Sequence, residues 1–523
     1  MPYARTRSRD HRTISATPKK GSGASQTGPQ TLKPSSGSTR LELVESSAGS
    51  NFSRPPTPDD KPVAEPSAPN IAAAIDPPEE AVAAGDPKRL KRDQKDRVLL
   101  KNERWLLRNG HFVTFIGLYL FSIIVLFRPY EIFPGMGFLQ GTAFYFALAT
   151  LSIFFPSQLV AESNLTMLST EVKAILAMTT LALLTIPIAK DPNLAWETFN
   201  EPFIKAVVIF VVLVNVVRTR RRLMSLMWLS LGIGIYLGVV GLKMYSEGKF
   251  NVESYRVGVD IGGMFGNPND MALHLVMMTP LVVTLAIASR SPLMKAVYAS
   301  LAVLFVAGNM VTFSRGGFLG FIASAICLAW KLGRKYRVRV ALGTLAAGGA
   351  LIAAAPGNYG LRMLSIFLPG LDPVGSSDAR RELLERSLLV TARNPWGIGI
   401  GCFPVVGQHD HQTHNAFTQV SSEIGVLGLA AYLVFIISPF RKLGAIERQL
   451  FNASEHRWFY YVAVGLQASI LGYLVSSFFA SVAYNWFIYY LIAYAVAFRR
   501  VYAIEAGIKD EGDSRVRLTP AAV

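Results

Sequence analysis

Charge is scarce in this chain. Asp, Glu, Lys and Arg make up 17% of its 523 residues and hydrophobic residues 51%, where a soluble chain carries roughly 25% charged residues. That scarcity excludes a soluble globular protein. The apolar residues come in runs of about 17–22, the length that crosses a bilayer's hydrocarbon core. The short alternating segments of a membrane β-barrel are missing too, so the expected fold class is an all-α polytopic membrane protein. Cysteine is nearly absent: Cys327 falls in an expected span and Cys402 in the largest loop, which argues against a disulfide framework. There is no Gly-x-x-x-x-Gly-Lys-Ser/Thr loop, so no ATPase is built in. No Asp-x-Asp pair offers to hold a divalent metal on a nucleotide-diphosphate donor. No apolar stretch follows the charged start of the chain, so no signal peptide is expected.

What the chain does have is positive charge, a net +17. Its placement argues for membrane topology rather than nucleic-acid binding. Residues 1–87 are rich in Ser, Pro, Gly and Ala and read as a disordered cytoplasmic tail. Residues 88–110 form a basic juxtamembrane segment, from Lys88 and Arg89 to Arg104 and Arg108, suited to lipid headgroups. Residues 111–500 form the membrane domain, and 501–523 a cytoplasmic C-terminal tail. About twelve helices are expected, at roughly 111–127, 137–155, 172–189, 203–217, 223–243, 269–288, 296–312, 316–331, 340–355, 417–438, 458–478 and 482–498. With the N-terminus inside a bacterial cytoplasmic membrane, Arg218 and Arg220–Arg222, Arg290 and Lys295, Lys331 to Arg339, Arg441 to Arg457, and Arg499 and Arg500 all become cytoplasmic. A large loop at 356–416, between the ninth and tenth spans, and a shorter one at 244–268 face the periplasm.

The periplasmic arginines are then the anomaly, because topology does not select them. Arg256 lies in the shorter loop, Arg315 in a Ser-Arg-Gly-Gly turn, and Arg362, Arg380, Arg381, Arg386 and Arg393 in the large loop. Arginine is the best permanent clamp for phosphate or carboxylate; its bland alternative at Arg315 is a snorkelling headgroup anchor. Ser377 or Asp378 can cap a helix running to the Asn394-Pro395 break. Its Leu384, Leu388 and Ala392 stripe predicts an amphipathic helix on the membrane surface. The loop ends in three closely spaced histidines, His409, His411 and His414. They read as zinc ligands, as solvated loop residues, or, for His414 where the loop re-enters the membrane, as a proton-handling group. Asn269 and Asp270 enter an apolar helix, and polar groups at such depth tend to face a cavity. His274, one turn on, reads as a buried, satisfied histidine.

In chain order, Arg256, Phe-Gly-Asn-Pro-Asn-Asp-Met-Ala (265–272), Phe-Ser-Arg-Gly-Gly (313–317), Arg380 ahead of Asn-Pro-Trp-Gly-Ile-Gly-Ile-Gly-Cys-Phe (394–403), His414-Asn415-Ala-Phe and Glu423-x-Gly-x-x-Gly-Leu resemble the O-antigen ligase superfamily. That group comprises O-antigen ligases, oligosaccharide polymerases and protein O-glycan ligases. The resemblance spans roughly residues 110–500, on the order of twelve helices. It implies glycosyl transfer without metal or other cofactor, from a glycan on undecaprenyl pyrophosphate to a hydroxyl of lipid A–core, another glycan or a protein. It implies that Arg256, Arg315 and Arg380 neutralise the pyrophosphate while His414 assists the acceptor hydroxyl. Arg381, Arg386, Asn269 and Asn415 are further candidates for substrate binding. The family pattern usually has an aromatic residue four positions after the loop arginine, where this chain has Leu384, so Arg380 and Arg381 both qualify. A transporter of an anionic or lipid-linked sugar is the competing class. A zinc-dependent membrane enzyme is a further alternative.

Overall fold

The structure is a computed structural model that describes residues 109–508, apart from 140, 262–263, 335–336, 354, 356, 358, 367, 369–375, 407–410 and 453–455. All of these residues belong to one unit, Ala83–Val523. The expected tail at 1–87, most of the basic segment at 88–110, and His409 lie outside the described residues.

Helices dominate because apolar runs without water must satisfy their backbone groups internally. The long ones are α1 (His111–Leu126), α2 (Thr142–Glu162), α3 (Thr170–Thr185), α4 (Ile204–Val216), α5 (Arg220–Ser246), α6 (Pro268–Ala288), α7 (Pro292–Met310), α8 (Arg315–Leu332) and α9 (Arg337–Ala353). They continue with α10 (Ser376–Arg393), α11 (Ala416–Glu423), α12 (Gly425–Leu450), α13 (Arg457–Ser476) and α14 (Trp486–Ala506). Many start on a side-chain cap: Ser169 accepts from Val172 N–H, Ser291 from Met294 N–H and Asn415 from Phe417 and Thr418 N–H. α6, α13 and α14 are buried along most of their length. α6 packs against α7, α8 and α13, and α12 against α3 and α13.

Among the described residues, eleven helices are long and apolar enough to cross a membrane. They match the expected spans except the ninth, where α9 is helical over its 17 described residues. The expected tenth span at 417–438 is two helices. Gly425 adopts φ +87 and breaks the rod after Ile424, a conformation that costs glycine nothing. Its site is closed as well, since a Cβ there would lie 2.5 Å from the Pro395 carbonyl oxygen. The true span is α12, which begins at the break and runs on to Leu450. α11 is left as a short, buried helix outside the spans.

The helix expected in the large loop is present. α10 occupies the predicted range but presents Leu383 and Ser387 inward, while Leu388 is exposed. The inward face packs on α11, where Thr391 Oγ1 meets Ser421 Oγ at 3.0 Å. The face that packs on α11 thus lies about one residue from the Leu384, Leu388 and Ala392 stripe, a choice the apolar period alone could not fix.

One end of the bundle collects the basic clusters. Arg218 and Arg500 share Glu162, Arg499 and Lys442 share Glu171, and Lys331 and Arg334 share Glu447. Helix direction puts the α5–α6 connection and the start of α8 at the opposite end.

Candidate active site

At that opposite end the connection from α5 to α6 doubles back through a tight turn. Val252 and Arg256 bridge each other, with Glu253 and Ser254 both at positive φ. The turn buries Arg256 and fixes all three of its donor groups. Nε donates to the Thr312 carbonyl at 3.0 Å, Nη2 to Asn269 Oδ1 at 3.0 Å, and Nη1 pairs with Glu253 at 3.3 Å. Asn269 Oδ1 also accepts from Ser314 Oγ at 2.8 Å. Ser314 in turn caps α8, accepting from Gly317 N–H. Arg256 and Asn269 therefore sit behind Arg315 and set the turn that presents it.

Arg315 is the first residue of α8. The two glycines after it are tight packing positions rather than a flexible link: a Cβ on Gly316 would come within 2.8 Å of Phe479 Cβ. Ser476 Oγ bonds the Gly316 carbonyl at 3.1 Å, so α13 pins the start of α8. Arg362, on a one-turn helix at Tyr359–Leu364, reaches the same region. Its Nε donates to the Phe313 carbonyl at 2.9 Å, its Nη2 pairs with Glu253 at 3.1 Å, and its guanidinium lies over the Tyr255 ring.

Arg380 completes the group from α10. Its guanidinium is pushed down to about 10, first by burial and then by the positive charges of Arg256, Arg315 and Arg362, against a smaller pull from Glu253. Four arginines thus share one electrostatic neighbourhood. Neighbouring Arg381 pairs with Glu385 at 3.1 Å and leaves 80% of its side chain exposed. Of the two loop arginines, Arg380 is the less exposed. Arg386 faces away from the cluster and donates to the Val406 carbonyl, tying down the Phe403–Val406 helix.

His414 approaches from the other side. It holds φ +50, a left-handed conformation that a non-glycine residue adopts under constraint from its surroundings. The constraint is visible on both flanks. Thr413 Oγ1 bonds the Asn415 carbonyl at 2.9 Å and lies 3.1 Å from Ser481 Oγ, while Asn415 caps α11. The imidazole is lowered to about 4, by burial first, then by Arg380 and His411. It is therefore a neutral proton acceptor at physiological pH. His411 is exposed.

Arg315, Arg380, Arg381, Thr413, His414 and Asn415 line one cavity of about 250 Å³, whose apolar wall includes Leu384, Phe478 and Phe479. The cavity thus unites α8, α10, the entry to α11 and the end of α13. Arg256 and Asn269 support it from behind; Arg386 is not part of it. Arg362 and Glu253 also belong to the arginine group; the sequence offered Arg362 only as one of the loop arginines and gave no sign of Glu253, because neither sits in a motif with a chemical signature. Phe478 and Phe479 read only as the end of a span.

Glu423 is a second-line residue of the same assembly. It is fully enclosed at the end of α11 and pushed up to about 7, chiefly by burial. It accepts from the N–H of Gly401 at 2.9 Å and of Phe403 at 3.3 Å, holding the Gly-Ile-Gly-Ile-Gly loop against α11. Among the described residues no group of three or more His, Cys, Asp or Glu side chains is arranged to hold a metal ion.

Residues 299–433 match the O-antigen ligase family model. That stretch contains Arg315, Arg380, His414, Asn415 and Glu423, and it supports membership of the O-antigen ligase superfamily; Arg256 precedes it. No curated protein matches the chain.

Proposed function

We propose that this chain, a multi-pass membrane protein with an O-antigen ligase domain, is a glycosyltransferase. It joins a glycan from an undecaprenyl-pyrophosphate donor to an acceptor hydroxyl at the periplasmic face. The observation that carries this reading is the cavity itself, where arginines that stay charged meet an imidazole that stays neutral.

In the reaction, the bond between the anomeric carbon and the pyrophosphate oxygen breaks and leaves its electron pair on the pyrophosphate. Arg315 and Arg380 stabilise that charge as it develops, the task a divalent metal performs elsewhere. The acceptor oxygen attacks from the opposite face and inverts the anomeric carbon. Its proton passes to the His414 imidazole. An imidazole lowered to about 4 is a weak base in the empty site. The bound pyrophosphate offsets the arginine field around it and raises its basicity when the acceptor arrives. Asn415 and Thr413 set the backbone that holds the ring, and Arg256 with Asn269 holds Arg315.

The test is product analysis with purified protein, lipid-linked donor and acceptor. The expected result is a glycan covalently joined to the acceptor, with carrier pyrophosphate released in equal amount. Donor movement across liposomes with no new covalent product would replace the enzyme by a transporter. Growth of the glycan on its own carrier would make it a polymerase using the same residues.

A further inference from the structure

A second cavity lies in the wall made by α1, α2, α4 and the start of α14. It encloses about 550 Å³, and Leu118, Phe121, Phe144, Val208 and Val212 are among its apolar lining residues. Arg128, Tyr130, Glu201 and Lys205 line one end.

Helix direction identifies that end. Arg222, at the start of α5, donates to the His111 carbonyl, and Arg500 bonds Glu162 and the Val214 and Asn215 carbonyls. The start of α1 and the ends of α2, α4 and α14 are therefore with the compensated basic clusters. Arg128, Lys205 and Trp486 lie at the arginine-cavity end. From Arg128 down to Leu118 the wall is about 15 Å long at a helical rise of about 1.5 Å per residue, half of a hydrocarbon core about 30 Å thick. The groove is one leaflet deep. Tyr130 and Trp486 stand at its mouth, at the level where such rings meet the headgroup layer.

The charge at the mouth is balanced. Arg128 pairs with Glu131 at 3.1 Å and Lys205 with Glu201 at 2.6 Å, and all four side chains are partly exposed. The arginine cluster, in contrast, gathers four guanidinium groups with Glu253 as the one carboxylate that acts on Arg380 among them, paired with Arg256 and Arg362. A dianionic pyrophosphate suits the cluster; a headgroup of zero net charge suits the mouth.

We propose that this groove holds one chain of a zwitterionic phospholipid, with its phosphate on Arg128 and Lys205 and its primary ammonium on Glu201. That is the chemistry of phosphatidylethanolamine. A phosphatidylglycerol headgroup brings no cation to the two carboxylates. A quaternary choline has no N–H to donate to them.

The test is native mass spectrometry of the full chain, stripped of lipid in detergent. It is then offered an equal mixture of phosphatidylethanolamine, phosphatidylglycerol and phosphatidylcholine with identical chains. The expected result is one retained phosphatidylethanolamine, favoured about tenfold, roughly what one hydrogen bond to a charged group supplies. Glu201→Gln frees Lys205 and shifts the preference toward phosphatidylglycerol. Ala147→Trp fills the groove and abolishes retention. Because Glu201 is exposed, the first variant keeps the test informative if the second fails to fold. Equal retention of the three lipids, an unchanged preference in Glu201→Gln, or stoichiometric displacement by undecaprenyl phosphate would each overturn the proposal.

Discussion

The two ends of this bundle use the same side chain for opposite purposes. At one end, arginines and lysines close onto buried carboxylates: Arg218 and Arg500 on Glu162, Arg499 and Lys442 on Glu171, Lys331 and Arg334 on Glu447. At the other, Arg256, Arg315, Arg362 and Arg380 crowd together, and two of them share Glu253. Charges that are matched by carboxylates hold helices together. Charges gathered in excess create a field that attracts an anion, and the surrounding fold must withstand their repulsion. Sequence counts alone treat both ends as basic loops.

The difference can be broken most forcefully at the compensated end. Glu171→Ala leaves Arg499 and Lys442 without their shared carboxylate, and removing one partner of a buried pair costs about 3–5 kcal/mol. The expected outcome is a large loss of folded protein and a lower unfolding midpoint in detergent, with transfer per folded molecule unchanged. A transfer defect at full stability would show that the two ends are not separate in purpose. Next comes Arg315→Ala, which should lower the transfer rate by about 10²–10³ while leaving the unfolding midpoint level or slightly raised. A drop in stability with intact turnover would assign Arg315 to the scaffold.

A smaller effect sharpens the electrostatics. His414 works as the neutral form, and its folded value is about 4. The acid limb of kcat/KM for free protein should therefore fall only as pH drops through about 4, well below an ordinary histidine. Arg380→Gln removes a charge that lowers this value, so the acid limb should move up by about one pH unit. A limb that stays put would separate the two residues. The smallest expected effect is at Glu253. Glu253→Gln keeps one acceptor oxygen beside Arg256, Arg362 and Tyr255 but deletes the counter-charge. Inorganic pyrophosphate should then inhibit roughly fivefold more tightly, which a competition assay reads directly.

Much of the fold was legible before the structure. Runs of apolar residues located the helices, and their lengths are local properties of the chain. The failures are informative. The 417–438 run has a continuous apolar composition, yet Gly425 turns left-handed there against the Pro395 carbonyl, a partner remote along the chain. The face of α10 that packs on α11 was not legible, because the helical period fits several faces until α11 selects one.

The site was legible in part. Arg315, Arg380 and His414 stand out as polar residues where topology does not require them, and the structure gathers them around one cavity. Arg362 stood out only as one of five loop arginines, with nothing in its surroundings to single it out, and Glu253 carried no signal, since an isolated glutamate in a loop reads as solvated. Arg386 looked equivalent to Arg380 in the sequence, six positions away on the same helix. The field of three other arginines distinguishes Arg380, whereas Arg386 serves a backbone carbonyl.

By itself, then, the sequence determined a helical membrane protein with a basic end and a set of polar residues at the other. Hydrophobicity and charge act residue by residue and are written locally. Only the tertiary structure decided which arginines are compensated, which face a cavity, and which merely tie down a loop. Those outcomes depend on side chains brought together from the α5–α6 turn, α8, α10, α11 and α13. The energy of a buried charge is set by neighbours that are remote along the chain.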